Sequence, residues 1–149
     1  MCEEIADDLD QDLIALSIQQ PWAELILQGV KTIEVRRVPA RPRGSVYLYA
    51  SQRISSLPGV ELLLQQQGIF AETLPRGQIV GRVEILDCRR ARLEDASAAQ
   101  VPAALLVDAY SWVLGNAQRL SRPVLPHYVP FGTWFYPFKR LRTNVRGRK

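Results

Sequence analysis

The chain has 149 residues, of which 47% are hydrophobic and 23% charged. This length and composition predict one globular domain and exclude intrinsically disordered and fibrous proteins. The net charge is +4, but six acidic residues and no basic residue fall within residues 1–12, so residues 13–149 carry 19 basic and 9 acidic residues, a net charge of +10. Sixteen of the 19 basic residues are Arg, which binds phosphate through two hydrogen bonds and stacks on nucleobases. The charge is therefore interpreted either as a nucleic-acid-binding surface or as a solvated basic surface.

Cysteine spacing and the two charged termini indicate the compartment and the domain limits. Cys2 and Cys88 match neither a metal-ligand spacing nor a disulfide framework, so we expect two free thiols. The acidic N-terminus lacks the basic and apolar regions of a signal peptide, and no stretch approaches the ~20 apolar residues of a membrane span. We expect a cytoplasmic protein with an acidic disordered tail (residues 1–12), one domain (13–138) and a basic tail (139–149).

The first third of the chain predicts a strand, a helix and a second strand. The apolar run Leu13–Ile18 is typical of a buried strand. Pro21 in a first turn, apolar residues at helical spacing and Gly29 as a left-handed stop predict a helix over residues 21–29. The alternating segment Thr32–Arg36 predicts a strand whose odd-numbered residues face the core and whose even-numbered residues share the other face.

The rest of the chain predicts further strands connected by two helical regions and two Pro-rich loops. Residues 78–88 predict a long strand. Within it, Gly81 marks a bulge or a close approach of another backbone. Residues 110–120 predict either one strand or a hairpin that turns at Gly115–Asn116. The other segments are a loop at 37–44, a strand at 45–51, a helix at 58–67, a partly helical stretch at 93–109, a loop at 122–133 and a strand at 134–138.

The segment from residue 16 to residue 36, LSIQQPWAELILQGVKTIEVR, carries a family motif. It resembles the opening of ASCH domains, members of the PUA-like superfamily, in which L-S-I-x-Q-P-W/Y-A is followed by G-x-K-T-x-E-x-R. Residues 47–51, 81–83 and 110–114 are similar to the family pattern in order and spacing, so the resemblance covers about residues 13–138. It implies an α+β fold, a PUA-like small β-barrel of five to six strands with helices packed outside and a cleft lined by the motif residues. It also implies binding of RNA or of a modified base, although some members are amidohydrolases of acetylated cytidine and one is a ribonuclease.

Lys31, Thr32, Glu34 and Arg36 form the densest group of polar residues. On one strand face Glu34 and Arg36 lie about 7 Å apart, close enough to pair or to hold one ligand together. A Lys31 whose pKa is lowered by a neighbouring Arg is a candidate base, and Glu34 is a candidate acceptor for a ribose hydroxyl or a base amino group. The alternative is a set of solvated charges with a surface salt bridge between Glu34 and Arg36. The family motif favours a site.

The amidohydrolase members have a Thr where this chain has Glu34. A carboxylate does not simply replace a hydroxyl as acyl acceptor, because the product would be an anhydride instead of an ester. The resemblance therefore implies Lys31 and Glu34 as candidate catalytic residues but makes the same amidohydrolase mechanism doubtful. Those enzymes have a third catalytic residue, an acid further along the chain. Glu94 and Asp95 are candidates for this role here.

Other candidate ligand-binding residues surround the motif. Gln20 and Pro21 begin a helix whose free N–H groups favour an anion. Trp22 is interpreted either as a base-stacking residue or as a core anchor. Ser51 shares a strand face with two tyrosines, which form either a stacking platform or a buried pair. Four arginines are candidate phosphate contacts, with a solvated loop as the alternative: Arg37, Arg41, Arg43 and Arg53.

Together these patterns predict a protein that binds RNA, or a nucleotide or modified nucleoside, in a basic cleft without a metal or cofactor. One alternative is a cofactor-independent amidohydrolase or ribonuclease that uses Lys31 and Glu34. The other is a protein-interaction module in which the acidic and basic termini dock a partner or each other. His127 is the only histidine, which excludes sites that need two.

Overall fold

The computed structural model describes residues 9–140. The acidic residues 1–8 and the basic residues 141–149 lie outside the described residues, and with them Cys2 and most of both predicted tails. The strands are β1 (Ala15–Gln20), β2 (Ile33–Arg36), β3 (Gly44–Ile54), β4 (Gln78–Arg90), β5 (Tyr110–Val124) and β6 (Trp134–Phe135). The α-helices are α1 (Trp22–Leu27), α2 (Val60–Gln67) and α3 (Ala96–Ala99), with 3₁₀ turns at Ala71–Thr73, Leu93–Asp95 and Ala103–Leu106. None of the helices within residues 9–140 is long and apolar enough to cross a membrane.

The six strands form one sheet in the order β2-β5-β4-β3-β1-β6. β1 and β3 pair in parallel, while the other neighbours pair antiparallel. The sheet curls until its two ends meet: Trp112 of β5 stacks on Trp134 of β6 with ring centroids 5.6 Å apart. This curled half-barrel with helices outside confirms the expected α+β small-barrel fold.

Most predicted elements are present, with differences at their ends. Gly68 ends α2 in a left-handed conformation with φ +66°, as the sequence predicts. Residues 110–120 belong to one long strand, so the hairpin interpretation is wrong; Asn116 adopts a positive φ within β5 without reversing the chain. Gly81 lies at both a register shift and a close approach, because a Cβ there would stand 2.4 Å from the carbonyl oxygen of Gln118.

The buried side chains form two hydrophobic clusters. The larger contains α1, which packs Trp22, Leu25 and Ile26 against the sheet. The smaller contains Tyr47 and Tyr49, whose rings contact Phe138 and Phe135 edge-on. Since both tyrosines are buried, they form the buried pair and not the stacking platform.

Some residues that the sequence assigns to the tails lie against the barrel. The Tyr47 hydroxyl donates a hydrogen bond to the carbonyl oxygen of Asp10 at 2.8 Å. Lys139 forms an ion pair with Asp12, with Nζ and Oδ1 3.4 Å apart. Leu9 packs against the smaller cluster. The ends of the described chain therefore contact the domain and each other.

Candidate functional site

A cavity of about 600 Å³ opens between β1, β2 and α1 on one side and the segment after α3 on the other. Its volume lies within the range of small-molecule sites. Its polar lining residues are Ser17, Gln19, Lys31, Glu34, Arg36, Arg37, Ser51, Ser55 and Thr133. Its apolar lining residues are Trp22, Val35, Leu57, Val101, Leu105 and Ala109, and Gly132 completes the wall. The lining thus combines polar and apolar side chains.

Lys31, Glu34 and Arg36 form a connected cluster in the cavity wall. The Lys31 Nζ lies 3.5 Å from Glu34 Oε1, and Arg36 Nε donates to Glu34 Oε2 at 2.7 Å. Lys31 is only 2% exposed and Glu34 7%. The interpretation as solvated charges with a surface salt bridge is therefore wrong. The curled sheet and the segment after α3 cover the strand face that carries Glu34 and Arg36.

Burial determines the protonation behaviour of Lys31. Desolvation lowers the pKa of the Lys31 ammonium; the carboxylate of Glu34 opposes this effect, and the charge of Arg36 adds to it. The ammonium also donates a hydrogen bond to the carbonyl oxygen of Ala99 and lies 5.0 Å from the centroid of a Trp22 ring. Lys31 is thus held in one position, with its charge balanced by Glu34.

Arg36 closes the barrel. Its Nη1 donates to Thr133 Oγ1 at 3.1 Å, and its Nη2 donates to the carbonyl oxygen of Ser17 at 3.2 Å. Its guanidinium group also lies 5.5 Å from the Trp112 ring centroid. These contacts connect β2, at one edge of the sheet, to β1 and to the residue before β6. Arg36 therefore positions the wall of the cavity and uses its donors within the protein.

We expect Arg36→Lys to loosen this closure while the fold survives. An ammonium group retains the charge beside Glu34 but lacks the planar fork that reaches Thr133 and Ser17 together. The loss of two charged hydrogen bonds is expected to cost about 2 kcal/mol of stability. Hydrogen exchange should accelerate at residues 133–135 while the centre of β4 stays protected. Unchanged exchange at both places would contradict the assigned role of Arg36.

The segment from residue 93 to residue 106 is attached to the barrel by Asp95. Its carboxylate accepts hydrogen bonds from both Nη atoms of Arg89 at 2.7 and 2.9 Å, from the backbone N–H of Arg92 at 2.9 Å and from Ser111 Oγ at 2.8 Å. The hydrogen bond from Arg89 is the main cause that holds the pKa of Asp95 far below its usual range. Asp95 and Glu94 are absent from the cavity lining. Asp95 holds the wall in place.

The predicted residues around the start of α1 divide into two groups. Gln20, Pro21 and Thr32 do not line the cavity. The Gln20 side chain is buried, donating to the carbonyl oxygen of Pro75 at 2.9 Å and accepting from the backbone N–H of Glu24 at 3.0 Å. Trp22 belongs to the hydrophobic core and also lines the cavity, so both interpretations of this residue match its location.

The four candidate arginines also differ in their position relative to the cavity. Arg37 is exposed and lines the cavity, whereas Arg41, Arg43 and Arg53 lie outside its lining. Arg43 donates to the backbone carbonyl oxygens of Ala40 and Pro42. Ser51 lines the cavity as well. The structure therefore brings Lys31, Glu34, Arg36, Arg37, Ser51 and Trp22 together.

Sequence reasoning missed several lining residues. Ser17 and Gln19 alternate with the buried Leu16 and Ile18 in β1, a polar pattern that is a detectable signal of a second strand face. Thr133 gives no such signal, because its position depends on how the sheet closes. No group of three or more potential metal ligands occurs within residues 9–140.

Comparisons with known proteins point to one family. A family model described as the ASCH domain matches residues 16–124. Human and mouse activating signal cointegrator 1 are each 32% identical over 80 residues, which cover 49% of this chain and 14% of those proteins. The chain therefore spans a small part of these curated relatives. The crystal structure of ASCH from Zymomonas mobilis superposes with a TM-score of 0.58 at 15% identity, covering 85% of this chain and 88% of that one.

Proposed function

Because the chain belongs to the ASCH domain family, we propose that it binds RNA, or a nucleotide or modified nucleoside, in the cavity beside Lys31 and Glu34. The observation that carries this proposal is the composition of the cavity lining. A carboxylate, an exposed guanidinium group, several hydroxyl groups and a tryptophan ring all face the same space of about 600 Å³. A nucleotide presents the complementary groups: a flat ring, hydrogen-bond donors and a phosphate.

Glu34 is suited to read donors on the base or the ribose. A carboxylate has about four lone-pair positions, and within the cluster one oxygen accepts from Arg36 while the other faces Lys31 at 3.5 Å. The remaining positions accept from a base amino group or a ribose hydroxyl. The base itself packs beside Trp22 against the apolar residues Leu57, Val101 and Leu105, which supports stacking and exclusion of water.

Arg37 is suited to contact the phosphate. It follows Arg36 directly, lines the cavity and is exposed. Its guanidinium group can therefore contact an anion at the cavity while it stays in contact with water. Arg41, Arg43 and Arg53 and the basic C-terminal residues add attraction that does not depend on sequence. We accordingly assign Arg37 the specific phosphate contact and the other arginines a weaker, salt-dependent contribution.

Replacement of Arg37 tests this assignment without disturbing a buried residue. We expect Arg37→Gln to weaken binding of an eight-nucleotide single-stranded RNA about tenfold, the effect of one lost charged hydrogen bond. The slope of log Kd against log salt should fall by about 0.7, the value for one phosphate on a single strand. Fluorescence anisotropy at several salt concentrations measures both quantities.

The matched control is Arg122→Gln, which removes an exposed arginine that does not line the cavity. It should weaken binding less than Arg37→Gln. Equal effects of the two substitutions would remove the specific role of Arg37. Binding that does not weaken with salt would contradict the phosphate contact, and a wild-type protein that binds neither the RNA nor a panel of nucleosides would contradict the proposed function.

A second candidate function is hydrolysis, favoured by a buried lysine of lowered pKa beside a carboxylate. In this alternative Lys31 is the base or the electrostatic stabiliser, and Glu34 accepts a proton. Incubation of the wild-type protein with RNA and with acetylated cytidine, followed by product analysis, distinguishes binding from turnover. Turnover that persists in folded Lys31→Met would contradict this alternative.

A further inference from the structure

The loop between β5 and β6 exposes an unusual number of large apolar side chains. Leu125, Tyr128, Val129 and Phe131 are all exposed within seven residues, and Phe131 is completely exposed at 103%. Clusters of exposed apolar side chains on a soluble protein mark interaction sites more often than isolated ones do. Phe131 is thus available to a ligand.

The loop is held in a defined position at its ends. The backbone N–H groups of His127 and Tyr128 donate to the carbonyl oxygen of Pro137 at 2.8 and 3.1 Å. At the other end, the carbonyl oxygen of Thr133 accepts from the backbone N–H of Ser17 at 2.8 Å, and its hydroxyl accepts from Arg36. Phe131 is therefore presented from an anchored loop.

The backbone of Phe131 lies next to the cavity. Gly132 and Thr133, the two residues that follow it, both line the cavity, so the Cα of Phe131 is within about 7 Å of that of Thr133. Arg37 lines the same cavity and is exposed. An exposed aromatic residue and an exposed arginine therefore lie next to the proposed nucleotide site in the chain segments that form it.

The sequence of the segment that carries this loop favours a polyanion as partner. From residue 109 to the C-terminus the sequence contains no acidic residue. Exposed aromatic rings interleaved with basic residues are the recognition pattern of proteins that bind single-stranded nucleic acid, because every base has a face that stacks on an aromatic ring. A purely apolar partner would not use the guanidinium group of Arg37, and a carboxylate partner would not supply a base to stack on the ring of Phe131.

We propose that Phe131 stacks on the base adjacent to the nucleotide in the cavity, with Arg37 on the phosphate between them, so that the ligand is a single-stranded oligonucleotide. This inference rests on the proposed function and adds a second nucleotide position to it. The exposure of Phe131 and the backbone hydrogen bonds that anchor its loop support this second position.

The test compares an eight-nucleotide single-stranded RNA with the four nucleoside 5′-monophosphates. We expect Phe131→Ala to weaken binding of the oligonucleotide about tenfold or more and to leave the affinity for the monophosphates unchanged. Phe131→Trp should restore oligonucleotide binding, and the fluorescence of the introduced indole should be quenched when RNA is added. Val129→Ala, which removes another exposed apolar side chain of the same loop, is the matched control and should bind normally.

The outcomes separate this inference from the proposed function. Equal weakening of both ligands, or no weakening of either, would overturn the role of Phe131 while leaving the cavity site intact. If Val129→Ala and Phe131→Ala weaken oligonucleotide binding equally, the loop acts as a general apolar surface and not through stacking. Such a surface would be expected for a protein partner. A wild-type protein that binds neither ligand would overturn both proposals.

Discussion

Glu34→Ala is expected to lower the free energy of unfolding by about 3–5 kcal/mol, the cost of removing one partner from a buried ion pair. Lys31 would remain 2% exposed and next to the like charge of Arg36, without the carboxylate that compensates both. Chemical denaturation at neutral pH measures this change. Because Arg36 loses its 2.7 Å contact to Glu34 as well, the closure of the barrel should also weaken.

A double-substitution cycle isolates the pair. Lys31→Met is expected to cost less than Glu34→Ala, because Glu34 keeps its hydrogen bond from Arg36. The double variant Lys31→Met and Glu34→Ala should be more stable than Glu34→Ala alone, since no uncompensated ammonium remains buried. Strictly additive losses would show that the two side chains are not coupled.

The interaction between Lys31 and Glu34 also makes the stability of the protein depend on pH. The pKa of Lys31 is lowered in the folded protein, so between this lowered pKa and the usual value of about 10.4 the unfolded chain binds more protons, and stability rises with pH over that range. Glu34→Gln removes the charge that raises the pKa of Lys31 and should lower this pKa further. The rise in stability should then begin at a lower pH than in the wild type, which denaturation at a series of pH values detects.

Asp95→Ala is the second substitution with a large expected effect. Four hydrogen bonds converge on this buried carboxylate, and its removal leaves the Ser111 hydroxyl and the Arg89 guanidinium group without their acceptor. We expect a loss of about 2–4 kcal/mol, measured by chemical denaturation at neutral pH. Glu94→Ala, which removes an exposed acidic residue from the same turn, should change stability by less than about 0.5 kcal/mol.

The contribution of Asp95 to stability depends on pH. Its pKa is far lower in the folded protein than in the unfolded chain, so its contribution is complete above the unfolded value of about 3.9 and is lost as the pH falls below it. The difference between wild type and Asp95→Ala should therefore shrink on acidification below about pH 4. A difference that stays constant down to pH 2 would contradict the assigned ion pair.

Asp95 also connects stability to the proposed site. The segment that it anchors contributes Val101 and Leu105 to the cavity wall, and the carbonyl oxygen of Ala99 holds Lys31. We expect Asp95→Ala to weaken nucleotide binding even where the barrel remains folded. Normal binding by the folded variant would mean that the wall keeps its shape without Asp95.

The order of most elements and the family could be predicted from the amino-acid sequence alone. Gly68 ends a helix, and the motif from residue 16 to residue 36 places Lys31 and Glu34 together. These features depend on residues close in the chain, where side-chain periodicity and backbone conformation are set by local sterics and hydrogen bonding.

Which of the candidate residues line the cavity depends on contacts between distant parts of the chain. Arg36 reaches Thr133 across 97 positions, and Lys31 reaches Ala99 across 68, so neither contact is visible in a local pattern. Gln20 is engaged by Pro75 and Glu24, although its place at the start of a helix predicts an anion contact. The curl of the sheet decides what covers each strand face, and it depends on contacts between distant parts of the chain. The burial of Lys31 and Glu34 and the exposure of Phe131 beside the cavity follow from it.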